Sequence, residues 1–343
     1  MLSRPLALLA VAGLLGVGAP FGFAQPPAEK AGEPQAREVR AWLMRIHEAA
    51  GQRNFQGTFV VSGGGAVSSA RIAHYCEGAN QFERSETLDG QARHVYRHNE
   101  VVTTVWPASR TATIEQRDAL AQFPALLQAG DDRIAEFYDV RPLGLDRVAG
   151  REANVLVVTP RDAYRYGYRL WADRASGLLL RADVIGGRDQ VLESSAFSDV
   201  SIGVRAQPES VLQPMKRLEG YRVLRPALVP TRLEAEGWAL RQSVPGFREV
   251  SCVKRPMDAS GTPEAQSAAT PPVLQTIFSD GLTYVSVFIE PFDPQHHTRP
   301  MLAAIGPTMT LMQQQGDWWV TVVGDVPPAT LRLFAKGLER QRR

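Results

Sequence analysis

Apolar and polar residues alternate with a period of two along a long stretch that begins at Phe55, and turn motifs interrupt the alternation every few residues. Phe59 and Val61 continue the apolar positions, the triplet 63–65 is all glycine, and Asp89-Gly90 is a hairpin signal. Successive side chains of a strand point to opposite faces, so this period is typical of strands. The connections are too short for parallel crossovers, and the pattern therefore predicts an antiparallel meander.

The alternation predicts one large, strongly bent sheet with a few helices. A helix is expected over residues 37–50, with Val39, Trp42, Leu43 and Ile46 on one face. One or two short helices are expected between Asp118 and Asp139, where the alternation stops. The predicted strands cover residues 55–61, 69–76, 81–88, 93–98, 101–106, 110–116, 153–159, 164–172, 177–185 and 190–204.

A second, smaller unit follows. We predict strands at 233–240, 248–254, 283–290 and 318–323 and a last helix that begins at Pro327-Pro328. The predicted fold class is α+β, with a bent antiparallel sheet first and a smaller C-terminal α+β domain second. The predicted limits are 37–205 for the first domain, 206–220 for a linker and 221–343 for the second domain.

The N-terminus resembles a secretory signal. Arg4 supplies a positive charge, Leu6 to Gly18 is apolar, and Gly22-Phe23-Ala24 is a small-x-small cleavage site. Thirteen apolar residues are too few to span a bilayer. We expect residues 1–24 to be removed after Ala24, residues 25–36 to form a flexible leader, and the mature protein to be exported and soluble.

Charge and motif content argue against several function classes. The 38 basic and 36 acidic residues give a formal net charge of +2, which excludes an extended basic surface for nucleic acid. The sequence has no Gly-x-Ser-x-Gly elbow and no Walker lysine, and His47-Glu48 lacks the second histidine of a zinc-protease helix. We therefore expect no enzyme activity, no cofactor and no metal.

Several stretches in both units resemble the RseB/MucB family, in the order in which that family has them. They are 55–59 (FQGTF), 86–90 (ETLDG), 168–173 (YRLWAD), 177–181 (GLLLR), 279–282 (SDGL), 285–290 (VSVFIE) and 319–327 (WVTVVGDVP). The resemblance implies a periplasmic regulator of the sigma-E envelope-stress response. Such a protein binds the periplasmic domain of a membrane-bound anti-sigma factor of the RseA/MucA type and shields it from regulated proteolysis. It also implies a first domain folded like the lipoprotein carriers LolA and LolB, an open half-barrel on which lipid, lipopolysaccharide or mislocalised envelope components act as the release signal.

A periplasmic lipid or lipoprotein carrier is the alternative function. Simple carriers resemble only the first domain, so the second domain discriminates between the two. A bent sheet must cover its apolar concave face or leave it open to a ligand. The residues that would line an acyl-chain pocket, or else only close a packed core, are Trp106, Phe123, Leu126, Leu127, Phe137 and Tyr138.

The second domain and the cysteines carry two further predictions. Strand alternation sends Trp318 and Trp319 to opposite faces, so one can be an exposed partner-binding anchor, or both can be buried. Export places the two cysteines of the chain in an oxidising compartment, which predicts a Cys76–Cys252 disulfide between the domains, with two separate buried thiols as the alternative.

Overall fold

The fold is known from a computed structural model that describes residues 33–116, 134–256, 272–297 and 299–341. It is mostly antiparallel sheet with four helices in the described ranges: α1 (Glu33–Gln52), α2 (Ile134–Phe137), α3 (Glu209–Lys216) and α4 (Pro328–Gly337). No described helix combines the length and the apolar character needed to cross a membrane. The predicted signal and residues 25–32 of the predicted leader lie outside the described residues. Residues 33–36, predicted to belong to the flexible leader, are instead the first residues of α1, so the helix begins four residues before the predicted start at 37.

Twelve strands form the first sheet. They are β1 (Phe55–Gly63), β2 (Ala66–Glu77), β3 (Asn80–Thr87), β4 (His94–His98), β5 (Val101–Trp106), β6 (Thr111–Gln116), β7 (Tyr138–Val148), β8 (Arg151–Pro160), β9 (Gly167–Asp173), β10 (Leu179–Ile185), β11 (Val191–Ile202) and β12 (Arg222–Leu224). The strand order is β12-β6-β5-β4-β3-β2-β1-β11-β10-β9-β8-β7, so the sheet is open. Every pair is antiparallel except β12 with β6, which confirms the predicted meander.

The second unit is a seven-stranded sheet with a small two-stranded companion. Its strands are β13 (Val229–Pro230), β14 (Trp238–Leu240), β15 (Arg248–Arg255), β16 (Val273–Ser279), β17 (Tyr284–Pro291), β18 (Met301–Ile305), β19 (Thr308–Gln315), β20 (Trp318–Gly324) and β21 (Leu338–Arg340). The large sheet has the order β13-β15-β16-β17-β20-β19-β18, and β14 pairs with β21. The predicted fold class, α+β in two units, is confirmed.

Helices cover parts of both sheets. Leu43 and Ile46 of α1 are buried among apolar side chains of β7 to β10, as the predicted helical face requires. Val211 of α3 is fully buried against β2 to β4, and Phe334 of α4 is fully buried in the core of the second sheet. By burying these apolar side chains, the helices stabilise the fold by about 25 cal/mol for each Å² of apolar surface removed from water.

The segment between the two units takes part in the first sheet. Helix α3 lies within the predicted linker 206–220, and β12, which follows it, adds a parallel strand beside β6. Residues 222–224 were predicted to belong to the second domain. The domain limits themselves stay a prediction.

Candidate functional site: the junction between the two sheets

A buried ion pair joins the first sheet to the second. Arg165 lies in the bend before β9, and Asp280 lies in the tight turn between β16 and β17. Arg165 Nε is 2.9 Å from Asp280 Oδ2, and both side chains are fully buried, at 0% exposure. Two opposite charges without solvent contact fix the relative position of the elements that carry them, because separating them leaves each charge uncompensated.

Hydrogen bonds within the turn 279–283 orient the carboxylate of Asp280. Asp280 Oδ1 accepts hydrogen bonds from the backbone N–H groups of Leu282 and Thr283, both at 2.9 Å. Ser279 Oγ accepts from the backbone N–H of Gly281 at 3.0 Å and donates to the Thr283 carbonyl. These local bonds hold one carboxylate oxygen, and the other oxygen is left to face the first sheet.

The Arg165 guanidinium has several further partners. Its Nη1 donates to Asp162 Oδ2 at 2.7 Å, and its Nη2 donates to the carbonyl of Pro245. Its Cζ lies 4.6 Å from the centre of the Phe137 ring and 5.2 Å from that of Phe247. A guanidinium between two aromatic faces gains cation–π attraction in addition to its ion pairs.

Tyr138 completes the buried cluster from the start of β7. Its hydroxyl donates to Asp280 Oδ2 at 2.8 Å. Burial, and then the charge of Asp280, raise the pKa of Tyr138 well above its ordinary value, and the same two causes raise the pKa of Tyr168. Both phenols therefore stay neutral at physiological pH.

Three other contacts link the units. Thr330 Oγ1 of α4 donates to the carbonyl of Tyr164 at 2.7 Å. Arg255 of β15 lies 3.7 Å from Glu115 of β6. At the hairpin tips the two backbones touch: a Cβ built on Gly64 would lie 2.6 Å from the amide nitrogen of Gly306. Gly64 also has φ +59°, in the left-handed region that favours glycine. Both this backbone conformation and the close approach of Gly306 therefore require a residue without a side chain at position 64.

A cavity of about 750 Å³ opens beside the ion pair. Its walls come from the facing ends of β8, β9 and β10 and from the start of α4, and they include Asp162, Arg165, Tyr166, Arg169, Arg188, Asp189, Pro327 and Pro328. Arg169 is half-buried, and its Nε has no hydrogen-bond partner among the described residues. A guanidinium donor on the wall of a crevice fits an acidic ligand, because carboxylates accept charge-assisted hydrogen bonds.

Of the six residues predicted to line an acyl pocket, the structure describes three, and the pocket itself stays a prediction. Phe123, Leu126 and Leu127 lie outside the described residues. Trp106 ends β5 near one edge of the first sheet, whereas Phe137 and Tyr138 lie beside the opposite edge strand and pack against the Arg165 cluster. Phe137 and Tyr138 therefore lie at the junction between the two sheets.

The tryptophan pair occupies both faces of β20, as alternation predicts. Trp319 is 4% exposed and stacks on His297, with ring centres 4.9 Å apart. Trp318 is half-buried, edge-on to Trp238 at 5.6 Å and under the Arg340 guanidinium at 5.0 Å. Each indole already has partners within the chain, and neither is a freely exposed anchor.

The predicted Cys76–Cys252 disulfide is not formed in the structure, where both residues are free thiols. Cys76 ends β2, and its Sγ donates to the carbonyl of Gly51 at the end of α1. Cys252 is buried in the middle of β15, opposite Thr276, in the core of the second sheet. Strand pairing holds each cysteine in a separate sheet. The alternative of two separate buried thiols holds for Cys252 but not for Cys76, which is partly exposed.

The sequence left the Arg165–Asp280 pair unrecognised. The sequence predicts a strand over residues 164–172, but the strand begins only at Gly167, and Arg165 lies in the bend before it with its side chain buried. Asp280 lies in the stretch 279–282 that resembles the family, and no role was predicted for it. The available signal was Arg165 between Tyr164 and Tyr166, because a buried arginine needs aromatic and acidic neighbours. No group of three or more His, Cys, Asp or Glu side chains in the described ranges could hold a metal ion.

Comparison with known proteins gives matches along nearly the whole chain. The sequence matches the family models of the MucB/RseB N-terminal domain over residues 38–215 and the MucB/RseB C-terminal domain over residues 232–339. The sigma factor AlgU regulatory protein MucB of Pseudomonas aeruginosa is 33% identical over 310 residues, 88% of this chain and 90% of the relative. The sigma-E factor regulatory protein RseB of Escherichia coli is 24% identical over 301 residues, 87% of this chain and 90% of the relative.

Solved structures agree with the sequence matches. A complex of Pseudomonas aeruginosa MucA and MucB matches with a TM-score of 0.66 and 30% identity, covering 89% of this chain and 100% of that chain. A crystal structure of MucB in complex with MucA(peri) matches with a TM-score of 0.64 and the same identity and coverage. The family resemblance of the sequence is confirmed.

Proposed function

Because this chain belongs to the MucB/RseB family, we propose that it binds the periplasmic part of a membrane-bound anti-sigma factor and shields it from regulated proteolysis. The observation that carries the proposal is the match over both units to a MucB chain that was solved together with MucA(peri). The chain acts in the periplasm, after cleavage of the predicted signal behind Ala24. Binding controls when a protease reaches the partner, and no catalytic step by this chain is involved.

The match over the second unit favours the regulator over a lipid carrier. A simple carrier needs only the first sheet, whereas the family match continues through residues 232–339 and the two units share a buried ion pair. The proposal includes a lipid or a mislocalised envelope component as the signal that releases the partner.

The junction cavity supports a binding site for an extended acidic segment. A protease substrate is flexible when free and loses chain entropy on binding, so its site should be long and should contact several elements. The cavity meets elements of both units, and Arg169 and Arg188 bring positive charge to it. Arg165, in contrast, is already compensated by Asp162 and Asp280.

The test uses the full chain and the periplasmic part of its cognate anti-sigma factor. The double variant R169A/R188A should weaken binding by about 30-fold to 900-fold, because it removes two charge-assisted contacts of about 1–2 kcal/mol each. The matched control is R174A/R241A, which removes two exposed arginines that pair with surface carboxylates outside the cavity. Dissociation constants are measured by calorimetry, and protection of the partner is measured by adding the protease that cleaves it.

Three outcomes separate the parts of this proposal. If only R169A/R188A binds weakly and fails to protect, the function and the place are both supported. If both double variants bind as the native chain does, the function stands and the cavity is the wrong place. If the native chain neither binds nor protects the partner, the carrier function replaces the regulator.

A further inference from the structure

A thiol, an imidazole and a carboxylate stand in line on the first sheet, away from the junction. His74 Nε2 is 3.2 Å from Cys76 Sγ, and His74 Nδ1 is 3.2 Å from Glu83 Oε1. This order of nucleophile, base and orienting carboxylate is the arrangement that activates a nucleophile by proton transfer.

Strand geometry fixes the three side chains. His74 and Cys76 are two residues apart on β2 and so share a face, and Glu83 is the register partner of His74 on β3. The imidazole is 5% exposed and lies parallel to the ring of Phe55, at 5.4 Å and 10°. The stacked ring has little freedom to turn away from the thiol.

The resting thiol is un-ionised. Burial, and then the negative charge of Glu83, raise the pKa of Cys76, and Sγ donates a hydrogen bond of 2.9 Å to the Gly51 carbonyl. Arg97 of β4 is the other charged group facing the carboxylate, with Nη1 3.8 Å from Glu83 Oε2. From α1, the group in contact with Cys76 is the uncharged Gly51 carbonyl. Ordinary ionisation therefore supplies little thiolate, and reaction requires a base next to the sulfur.

We propose that Cys76 is a modification site that exchanges with low-molecular-weight disulfides, with His74 as its base and Glu83 as the residue that positions His74. For reaction the Cys76 S–H turns from the Gly51 carbonyl to His74 Nε2, 3.2 Å away. As Sγ gives this proton to Nε2, it attacks one sulfur of the disulfide. The disulfide S–S bond breaks and a new S–S bond forms at Cys76. The second sulfur leaves as a thiolate and takes up the proton from His74.

The site can be reached, and its modification has a structural consequence. Cys76 is partly exposed, so a small disulfide can approach Sγ. A substituted sulfur has no proton to donate, and the bond to Gly51 is lost. That bond ties the end of α1 to the hairpin of β2 and β3, where Gln81 Nε2 also donates to the Gly51 carbonyl. Modification therefore loosens one of two side-chain ties on this carbonyl.

Cys252 is the internal control. It is 6% exposed, and burial raises its pKa to about 12. In the part of the chain that the structure describes, Cys252 lies in an apolar cluster that contains no histidine, and its register partner is Thr276. A thiol without a base, buried in a core, should react slowly with the same reagent.

The experiment measures the reaction of the reduced, folded full chain with 5,5′-dithiobis(2-nitrobenzoate), an aromatic disulfide whose leaving group is coloured. C252S leaves only Cys76 and should release one equivalent at least about 10²-fold faster than C76S, which leaves only Cys252. Adding H74Q to C252S should slow the reaction about 10²-fold at neutral pH. The rate of C252S/H74Q should rise with pH as the thiol, whose pKa is raised, ionises, and C252S should exceed it most at neutral pH.

The variant C252S/E83Q separates positioning from simple electrostatics. The charge of Glu83 raises the pKa of Cys76, so an electrostatic role alone would make E83Q react faster. Loss of imidazole positioning makes it react more slowly. E83Q keeps the side-chain shape, so it decides the matter if H74Q fails to fold by circular dichroism. A faster or unchanged E83Q, or a C252S chain that reacts no faster than C76S, overturns the proposal.

Discussion

Two of the places where the sheets meet hold together by different means. At the junction, Arg165 and Asp280 are buried charges with several polar and aromatic partners. At the hairpin tips, Gly64 and Gly306 approach backbone to backbone, and the contact depends on the lack of a side chain. The first contact is directional and costly to break on one side only. The second is a steric fit that any added atom disturbs. Orientation of the units therefore depends chiefly on the charged contact.

The largest effect is expected from D280N. The amide keeps the shape of the side chain but leaves Arg165 with only Asp162 as a paired carboxylate, so the variant should lose about 3 kcal/mol of unfolding free energy. The urea midpoint of the full chain measures the loss. D139N is the matched control, because Asp139 pairs with Arg161 while both are exposed, and its loss should stay below about 1 kcal/mol. Equal losses would mean that burial does not strengthen the junction.

An intermediate effect is expected from Y138F. It removes the hydroxyl that donates to Asp280 and should cost about 1.5–2 kcal/mol at neutral pH. The pKa of Tyr138 is raised by burial and by Asp280, so the stability it contributes is present below the unfolded value, about pH 10, and is lost as pH rises above it. Urea midpoints between neutral and strongly alkaline pH should fall less steeply for Y138F than for the native chain. A parallel fall would show that Tyr138 ionises alike in both states.

The smallest effect is expected at the glycine tips. Both G64A and G65A force alanine into the left-handed region, at φ +59° and +79°, and share a strain of about 1 kcal/mol. Only the Gly64 methyl meets Gly306, since nothing lies within 4 Å of a Cβ at Gly65. G64A should therefore lose about 1 kcal/mol more than G65A. If thermal melting of the two variants coincides, the tip contact has no role in holding the sheets.

The sequence predicted β1, where burial alternates, and missed β7, where it does not. The alternation from Phe55 gave β1 correctly, because one face of β1 packs inward. Strand β7 was assigned partly to a helical insertion and partly to no element. Most of its residues after Val140 are exposed, so no apolar period marks it. The hairpin of β18 and β19 was missed for a similar reason, since Met301, Leu302 and Ile305 are apolar but exposed.

The site was less predictable than the fold because it depends on tertiary contacts. Arg165 and Asp280 lie in different units, and neither has a neighbour in sequence that names its partner. The tryptophan alternation was correct, but the partners that cover the two indoles, His297 and Trp238, come from other elements. Hydrophobic periodicity predicts the face on which a side chain lies. It does not predict which residues of other elements pack against that side chain.

The central position of β1 sets an order of events in time. Its neighbours are β2, made next, and β11, which spans Val191–Ile202 and emerges from the ribosome only much later. Until then, the half made of β1 to β6 exposes one unpaired edge of β1, a template for pairing with other chains. Such long-range pairing also slows folding. A nascent chain of this architecture therefore gains from a chaperone or a delay in export that keeps the early strands apart until β11 arrives.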